Sequence, residues 1–98
     1  MEHITILKQI QQQTITEQLR LTQHAQQEMV EEDIVLDDVL EAIATGQILE
    51  YYPEHRRGAR CLLGGYTYTG RALHIVCTTA NPILIIITVY VPLCSLTA

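Results

Sequence analysis

Several things this sequence lacks narrow its function before anything it contains is considered. Its most apolar stretch, Ile83 to Val91, is nine residues long, far short of the roughly 20 that a membrane-spanning helix needs. Met1 to Gln13 mixes Ile, Gln and Lys and shows none of the charged, apolar and small-residue succession of a secretory leader. The expectation is therefore a cytoplasmic protein. Its three cysteines, Cys61, Cys77 and Cys94, are odd in number and lie sixteen and seventeen positions apart. That spacing fits neither a disulfide framework nor a paired-cysteine zinc site, and suits buried or half-buried thiols in a reducing compartment. No His-x-x-x-His or Cys-x-x-Cys pair occurs, so neither a metal nor another cofactor is expected. No Ser or Cys sits in a nucleophile elbow, and Gly64, Gly65 and Gly70 do not compose a phosphate loop. Internal repeats and low-complexity segments are also missing.

One absence is positional: no carboxylate follows Glu54. All eleven Asp and Glu residues precede residue 55, accompanied only by Lys8 and Arg20, whereas Arg56, Arg57, Arg60 and Arg71 lie after it. The net charge of −5 thus averages an acidic half and a basic half. Such asymmetry points to an anionic ligand on the basic half, nucleic acid being the commonest. The competing reading is acidic helices over a neutral sheet whose arginines are simply solvated.

What is present reads as helices followed by strands. Ile4, Leu7 and Ile10 recur at helical spacing over Ile4 to Gln13. Leu19 and Leu21 flank Arg20 in a short strand or extended entry. Thr22 is placed to cap a helix over Gln23 to Glu32 with Ala25, Met29 and Val30 inward. Asp33 breaks that pattern. A second helix follows, with Leu36, Val39, Leu40 and Ile43 as its inner face, Asp37 and Asp38 near its positive end, and Gly46 just past its stop. Four strands are then expected: Gln47 to Tyr52, Arg60 to Tyr68, Arg71 to Thr79, and Ile83 to Val91. The Arg-rich segment Pro53 to Gly58 is a loop, and turns fall at Thr69-Gly70 and Ala80-Asn81-Pro82. Gly64-Gly65 signals a bulge or a close backbone approach. The nine-residue run, β-branched and bounded by prolines, reads as the central strand, buried on both faces. The fold class is α+β, two to three N-terminal helices packed on one face of a four-stranded antiparallel sheet. Ninety-eight residues make one domain, with residues 93–98 a dispensable tail.

Chemistry centres on His74, which stands mid-strand where an aliphatic is usual. Alternation puts His74, Val76 and Thr78 on one side and Leu73, Ile75 and Cys77 on the other. A functional histidine on the helix-free side competes with one merely satisfied by a cross-strand partner. His24, in the first turn of its helix, suits structural capping as well as catalysis, and His3 and His55 support neither. Thr88 and Tyr90 are two apart and share a side. Arg56, Arg57, Arg60, Arg71, His74, Thr88 and Tyr90 together hold what metal-free phosphodiester transfer needs, since guanidinium grips phosphate and imidazole and phenol exchange protons. Tyr51, Tyr52, Tyr66 and Tyr68 are suited either to stacking on unpaired bases or to ordinary sheet packing. Everything depends on strand register, because a slip of one residue puts His74 and Tyr90 on opposite sides.

His24-Ala25, Met29, Ile34, Asp38-Val39 and Gly46, then Tyr52-Pro53, Arg57-Gly58, Gly70-Arg71, Leu73-His74 and Ile87-Thr88-Val89-Tyr90, together resemble the bacterial domain-of-unknown-function family numbered 4258. The resemblance runs from about Leu21 to Val91, so residues 1–18 stand as an extension to a core over 19–92. It implies kinship with RelE-like toxins and a RelE- or barnase-like small ribonuclease architecture. It also implies a small antitoxin partner, often of zinc-finger type. Carried over by position, His24, Arg71, His74, Thr88, Tyr90 and Arg57 match the family pattern. Val35 departs from it, standing where similar sequences place a Ser or Thr to cap the second helix.

Two functions are therefore expected to compete. The first is a metal-independent endoribonuclease toxin. His74 or Tyr90 takes the proton of a ribose 2′-hydroxyl and the other protonates the leaving oxygen, Arg71 and Arg57 stabilise the developing charge, and His24 completes the catalytic set. Arg56, Arg60 and Thr88 hold RNA. The second is a non-catalytic module that binds protein or RNA through a basic sheet face. Exposed sheet edges also point to a homodimer.

Overall fold

The computed structural model describes residues 2–78 and 82–93. Along the chain run α1 (Glu2–Ile15), β1 (Leu19–Leu21), α2 (Gln23–Glu31), α3 (Leu36–Ala44), β2 (Gln47–Tyr52), β3 (Arg60–Tyr66), β4 (Ala72–Thr78) and β5 (Leu84–Tyr90). Thr79, Ala80 and Asn81 of the expected strand end and turn, and Cys94 with the rest of the tail beyond Leu93, lie outside the described residues.

The class is α+β, but the sheet differs from expectation. It has five strands in the order β1-β5-β4-β3-β2. β1 joins it in parallel, Leu19 opposite Leu84 and Leu21 opposite Ile86, while the other pairings are antiparallel. The centre therefore belongs to β4, and β5 lies between it and the three-residue β1. A strand so short carries too few residues to announce its partner, which here is some sixty positions away.

All three helices cover one face of the sheet. The core unites Ile6 and Ile10 of α1, Ala25 and Met29 of α2, and Val39, Ala42 and Ile43 of α3 with Cys61, Leu63, Leu73, Ile75, Cys77, Leu84, Ile86 and Val89. On β5 the buried positions are Leu84, Ile86 and Val89, with Ile85, Ile87, Thr88 and Tyr90 half exposed between them. The strand read as buried on both faces is covered on one only.

The helices turn slightly from the faces first assigned to them. In α1 the buried line is Ile6, Ile10 and Gln13, and Ile4 is exposed. Gln13 Nε2 donates to the Pro82 carbonyl at 2.8 Å, and Gln11 Nε2 to those of Ile43 and Ala44, so α1 packs against the rest of the fold. Val30 is exposed on α2. α3 buries Ala42 rather than Leu36 because β3 approaches it too closely for anything larger: a side chain at Gly65 would begin 1.8 Å from the Ala42 carbonyl oxygen. The Gly64-Gly65 pair therefore serves close approach, and the bulge lies opposite, in β2 between Ile48 and Glu50.

Helix ends follow local chemistry. Thr22 Oγ1 accepts from the Ala25 N–H and caps α2. Asp33 takes a left-handed φ of 56° and stops it. Val35 offers no side-chain acceptor, and Asp38 supplies half a capping box by accepting from the Val35 N–H at 3.0 Å. Cys61 and Cys77 face each other across β3 and β4 with their sulfurs 3.5 Å apart. Hydrogen bonding to Cys61 and burial hold the Cys77 thiol well above the ordinary range.

Candidate active site

Strand register decides which polar side chains meet. Pairing of β4 with β5 runs Thr78 to Ile85 and Cys77 to Ile86, then skips one residue and resumes Val76 to Thr88, Ile75 to Val89 and His74 to Tyr90. The residue left over is Ile87. Without this bulge the alternation begun at Leu84 and Ile86 would turn Thr88 and Tyr90 into the core. With it, both emerge on the helix-free face and Tyr90 stands directly across from His74.

Helix α2 pins the bulge. Beyond Leu21 the outer edge of β5 has no strand beside it, and α2 takes over its backbone groups. The Thr22 N–H donates to the Ile86 carbonyl, Thr22 Oγ1 donates to the Ile87 carbonyl at 3.1 Å, and the Val89 N–H donates to Glu28 Oε1 at 3.0 Å. Adjacent residues Ile86 and Ile87 thus both present carbonyls to the same side, the signature of the shifted phase.

His74 Nδ1 and the Tyr90 hydroxyl are 3.2 Å apart, with the rings edge to face at a centroid distance of 5.3 Å. Both are half buried. The position opposite His74 on β3 is Gly64, and Leu49, at the β2 bulge, leans over that glycine. The result is a depression of about 130 Å³ bordered by Leu49, Gly64, Tyr66, Ala72, His74 and Pro92. An imidazole and a phenol within hydrogen-bond reach beside a shallow cleft can pass a proton between them.

The remaining candidate residues separate into groups. Thr88 lies one cross-strand row from Tyr90, opposite Val76. Arg60 is opposite Thr78 and Tyr52 at the far end of the same face, and Arg56 and Arg57 are exposed on the preceding loop, where His55 Nδ1 accepts from the Arg57 N–H. Arg71 is not with them. Its guanidinium donates to the Asp33 carbonyl at 3.0 Å and to the Glu32 carbonyl, on the helical side, where a cation suits the negative end of α2. Alternation explains this, since Arg71 is in phase with Leu73 and not with His74. His24 is likewise outside the pair: its imidazole, mostly exposed, lies 3.4 Å from Glu28 Oε2, and the other Glu28 oxygen holds the Val89 N–H. Its link to the pair is indirect, through Glu28 and the β5 backbone. Glu28 itself was missed by sequence reasoning; nothing in an acidic helix distinguishes the one carboxylate that meets a strand edge.

Among the tyrosines, Tyr66 and Tyr52 belong to the helix-free face by register, whereas Tyr51 packs against the core and meets His3 edge to face. The Tyr52 hydroxyl donates to Glu50 at 2.6 Å, and this bond raises the phenol above its ordinary range. Among the described residues no group of three or more His, Cys, Asp or Glu side chains is arranged to hold a metal ion, and no helix is long and apolar enough to cross a membrane.

Residues 21–91 match the family described as "Domain of unknown function (DUF4258)". That span is most of the chain, which therefore belongs to this family. No curated protein and no solved structure matches.

Proposed function

We propose that this family member is a metal-independent endoribonuclease, the toxin of a bacterial toxin–antitoxin pair, with His74 and Tyr90 as its catalytic residues. The observation that carries the reading is the His74 Nδ1 to Tyr90 hydroxyl contact on the one sheet face that no helix covers. RNA lies across that face in the cytoplasm. His74 Nε2, bonded to nothing among the described residues, takes the proton of a ribose 2′-hydroxyl. The freed oxygen attacks the adjacent phosphorus, the bond to the 5′-oxygen breaks, and the Tyr90 hydroxyl gives that oxygen its proton. The imidazolium then returns its Nδ1 proton to the phenolate, which resets the tyrosine, and exchange with water moves the proton left on Nε2 back to Nδ1 to restore the starting tautomer. Thr88, one row along the same face, supports the phosphate, and Arg56, Arg57 and Arg60 attract the strand. Kinship to RelE-like toxins and a small antitoxin partner belong to the same proposal; such a partner would cover the half-exposed apolar positions Leu62, Val76, Ile85 and Ile87.

Purified protein is expected to cut RNA in the presence of a chelator, leaving 2′,3′-cyclic phosphate and 5′-hydroxyl ends, and its expression to arrest growth unless the antitoxin is supplied. A requirement for magnesium would sink the mechanism. Arg71 has no place in it. Arg71→Ala should cost about 1–2 kcal/mol of stability through the lost carbonyl bonds at α2, read by urea unfolding, and leave cleavage within a few-fold below the unfolding midpoint. A hundredfold loss with the fold intact would return Arg71 to the catalytic set.

A second reading, a non-catalytic protein- or RNA-binding module, draws on the same arginine. With Arg71 committed to α2, no guanidinium lies in the cross-strand row of His74 and Tyr90. Salt-sensitive binding without any cleavage or toxicity would favour it.

A further inference from the structure

Eleven carboxylates share this chain with five arginines, yet among the described residues the one ion pair is His24–Glu28. Arg71 is satisfied by carbonyls. Arg60 is not: it is half buried at the first position of β3, and its Nε is shielded from water without a partner. Directly opposite on β4 is Thr78, 7% exposed, whose hydroxyl is also buried and unpartnered. As cross-strand neighbours on one face, their Cβ atoms stand about 5 Å apart, and still they do not bond to each other.

Two unsatisfied polar groups side by side in a well-packed sheet imply a missing partner. A guanidinium only donates and cannot shed its charge, while a hydroxyl can also donate. The group that satisfies both is an oxygen with lone pairs and negative charge. Arg56 and Arg57, four and three positions earlier on the loop that leads into β3, add two more guanidiniums for an anion with several oxygens. The nearby carboxylates do not compete for it: Glu50 accepts from Tyr52, and Glu54 is exposed and forms no ion pair.

We infer that Arg60 and Thr78 form a phosphate-binding site for a backbone phosphodiester of the RNA strand, with Arg56 and Arg57 at its rim; the half-exposed Arg60 side chain swings to uncover its Nε and the Thr78 hydroxyl as the phosphate enters. This rests on the ribonuclease reading. It adds where the substrate is anchored: Thr78 is four residues from His74 along one face of β4, about 13 Å at the rise of a strand. The phosphate gripped here is therefore not the one that is cut but a neighbour along the chain, and oligonucleotides too short to span both places bind weakly.

The test uses the full chain and two probes. One is a fully 2′-O-methylated single-stranded RNA, which cannot be cleaved, followed by fluorescence anisotropy across a salt series. The other is inorganic phosphate, followed through the Arg60 Nε–H signal by NMR. Arg60→Gln should weaken RNA binding about tenfold and lower the salt slope by about one. Thr78→Val should weaken it about threefold, a modest loss that suits one neutral hydrogen bond, and Arg20→Gln, the same charge removed elsewhere, should do neither. Should Arg60→Gln fail to fold, Arg60→Lys keeps the charge and removes the Nε donor, and a loss of RNA affinity in it, read by the same anisotropy, counts equally. A phosphate-induced shift of the Nε signal, abolished by Thr78→Val, supports the site even if no variant binds RNA, in which case the ribonuclease reading alone fails. Wild-type RNA binding in Arg60→Gln and Thr78→Val, with no response to phosphate, overturns the site whether or not the protein cuts RNA.

Discussion

His74→Ala is expected to reduce RNA cleavage by about 10²- to 10⁴-fold, the usual worth of a positioned proton carrier, and Tyr90→Phe to do nearly as much. The two act through one shared proton, so the double variant should be little worse than the more damaging single one. Stability should fall by about 1–3 kcal/mol in His74→Ala and by about half that in Tyr90→Phe, which keeps the ring. Neither side chain is in the core, and the interaction lost is one hydrogen bond worth about 0.5–1.5 kcal/mol and an edge-to-face contact of similar size. Single-turnover cleavage of a short RNA, with thermal melts of each variant, separates the effects. If both variants cut within a few-fold of wild type, the pair is a satisfied strand histidine and its partner, and nothing more. Strict additivity would mean that the two work independently, contrary to the shuttle through Nδ1.

Gly65→Ala should be the most destabilising single change in the sheet, at about 3–5 kcal/mol, the upper range for overpacking. The added carbon would lie 1.8 Å from the Ala42 carbonyl oxygen and 3.1 Å from the Ala42 Cα. Both atoms are backbone, so no rotamer change relieves the clash; α3 must lift from β3. Since domains are stable by about 5–15 kcal/mol, a fifth or more of the margin is at risk. Gly64→Ala is the control one residue away. There the new carbon meets Leu49 Cδ1 at 2.8 Å, the tip of an exposed and movable side chain, and the cost should stay near 1 kcal/mol while the depression beside His74 partly fills. Urea unfolding measures both. Equal costs at the two positions would mean that α3 is not packed against β3 as described.

Much of the fold could be read from the chain because the signals are local. Thr22 caps α2, Asp33 stops it, Asp37 and Asp38 favour the start of α3, and Thr69-Gly70 turns β3 into β4. Each of these depends on a few neighbouring residues. The site was legible only in part. Mid-strand placement singled out His74, and the spacing of Thr88 and Tyr90 put those two together. Charge and sequence neighbourhood put Arg71 with the site, but it is in phase with Leu73 and turned the other way. Periodicity alone puts Ile4, Val30 and Leu36 on inner faces, whereas helix rotation follows the partner surface, which for α3 is the glycine pair of β3.

By itself, then, the sequence determined the succession of elements, the separation of acidic helices from a basic second half, and the residue types available for proton transfer. Composition and short-range pattern suffice for those. Only the tertiary structure decided that the apolar run lies beside β1 and is covered on one face, that Arg71 serves α2, and that His74 meets Tyr90. The reason is a single unpaired residue: the bulge at Ile87 reverses the alternation of β5, and it is held there by Thr22 and Glu28, some sixty positions away along the chain, through backbone bonds that no local pattern encodes.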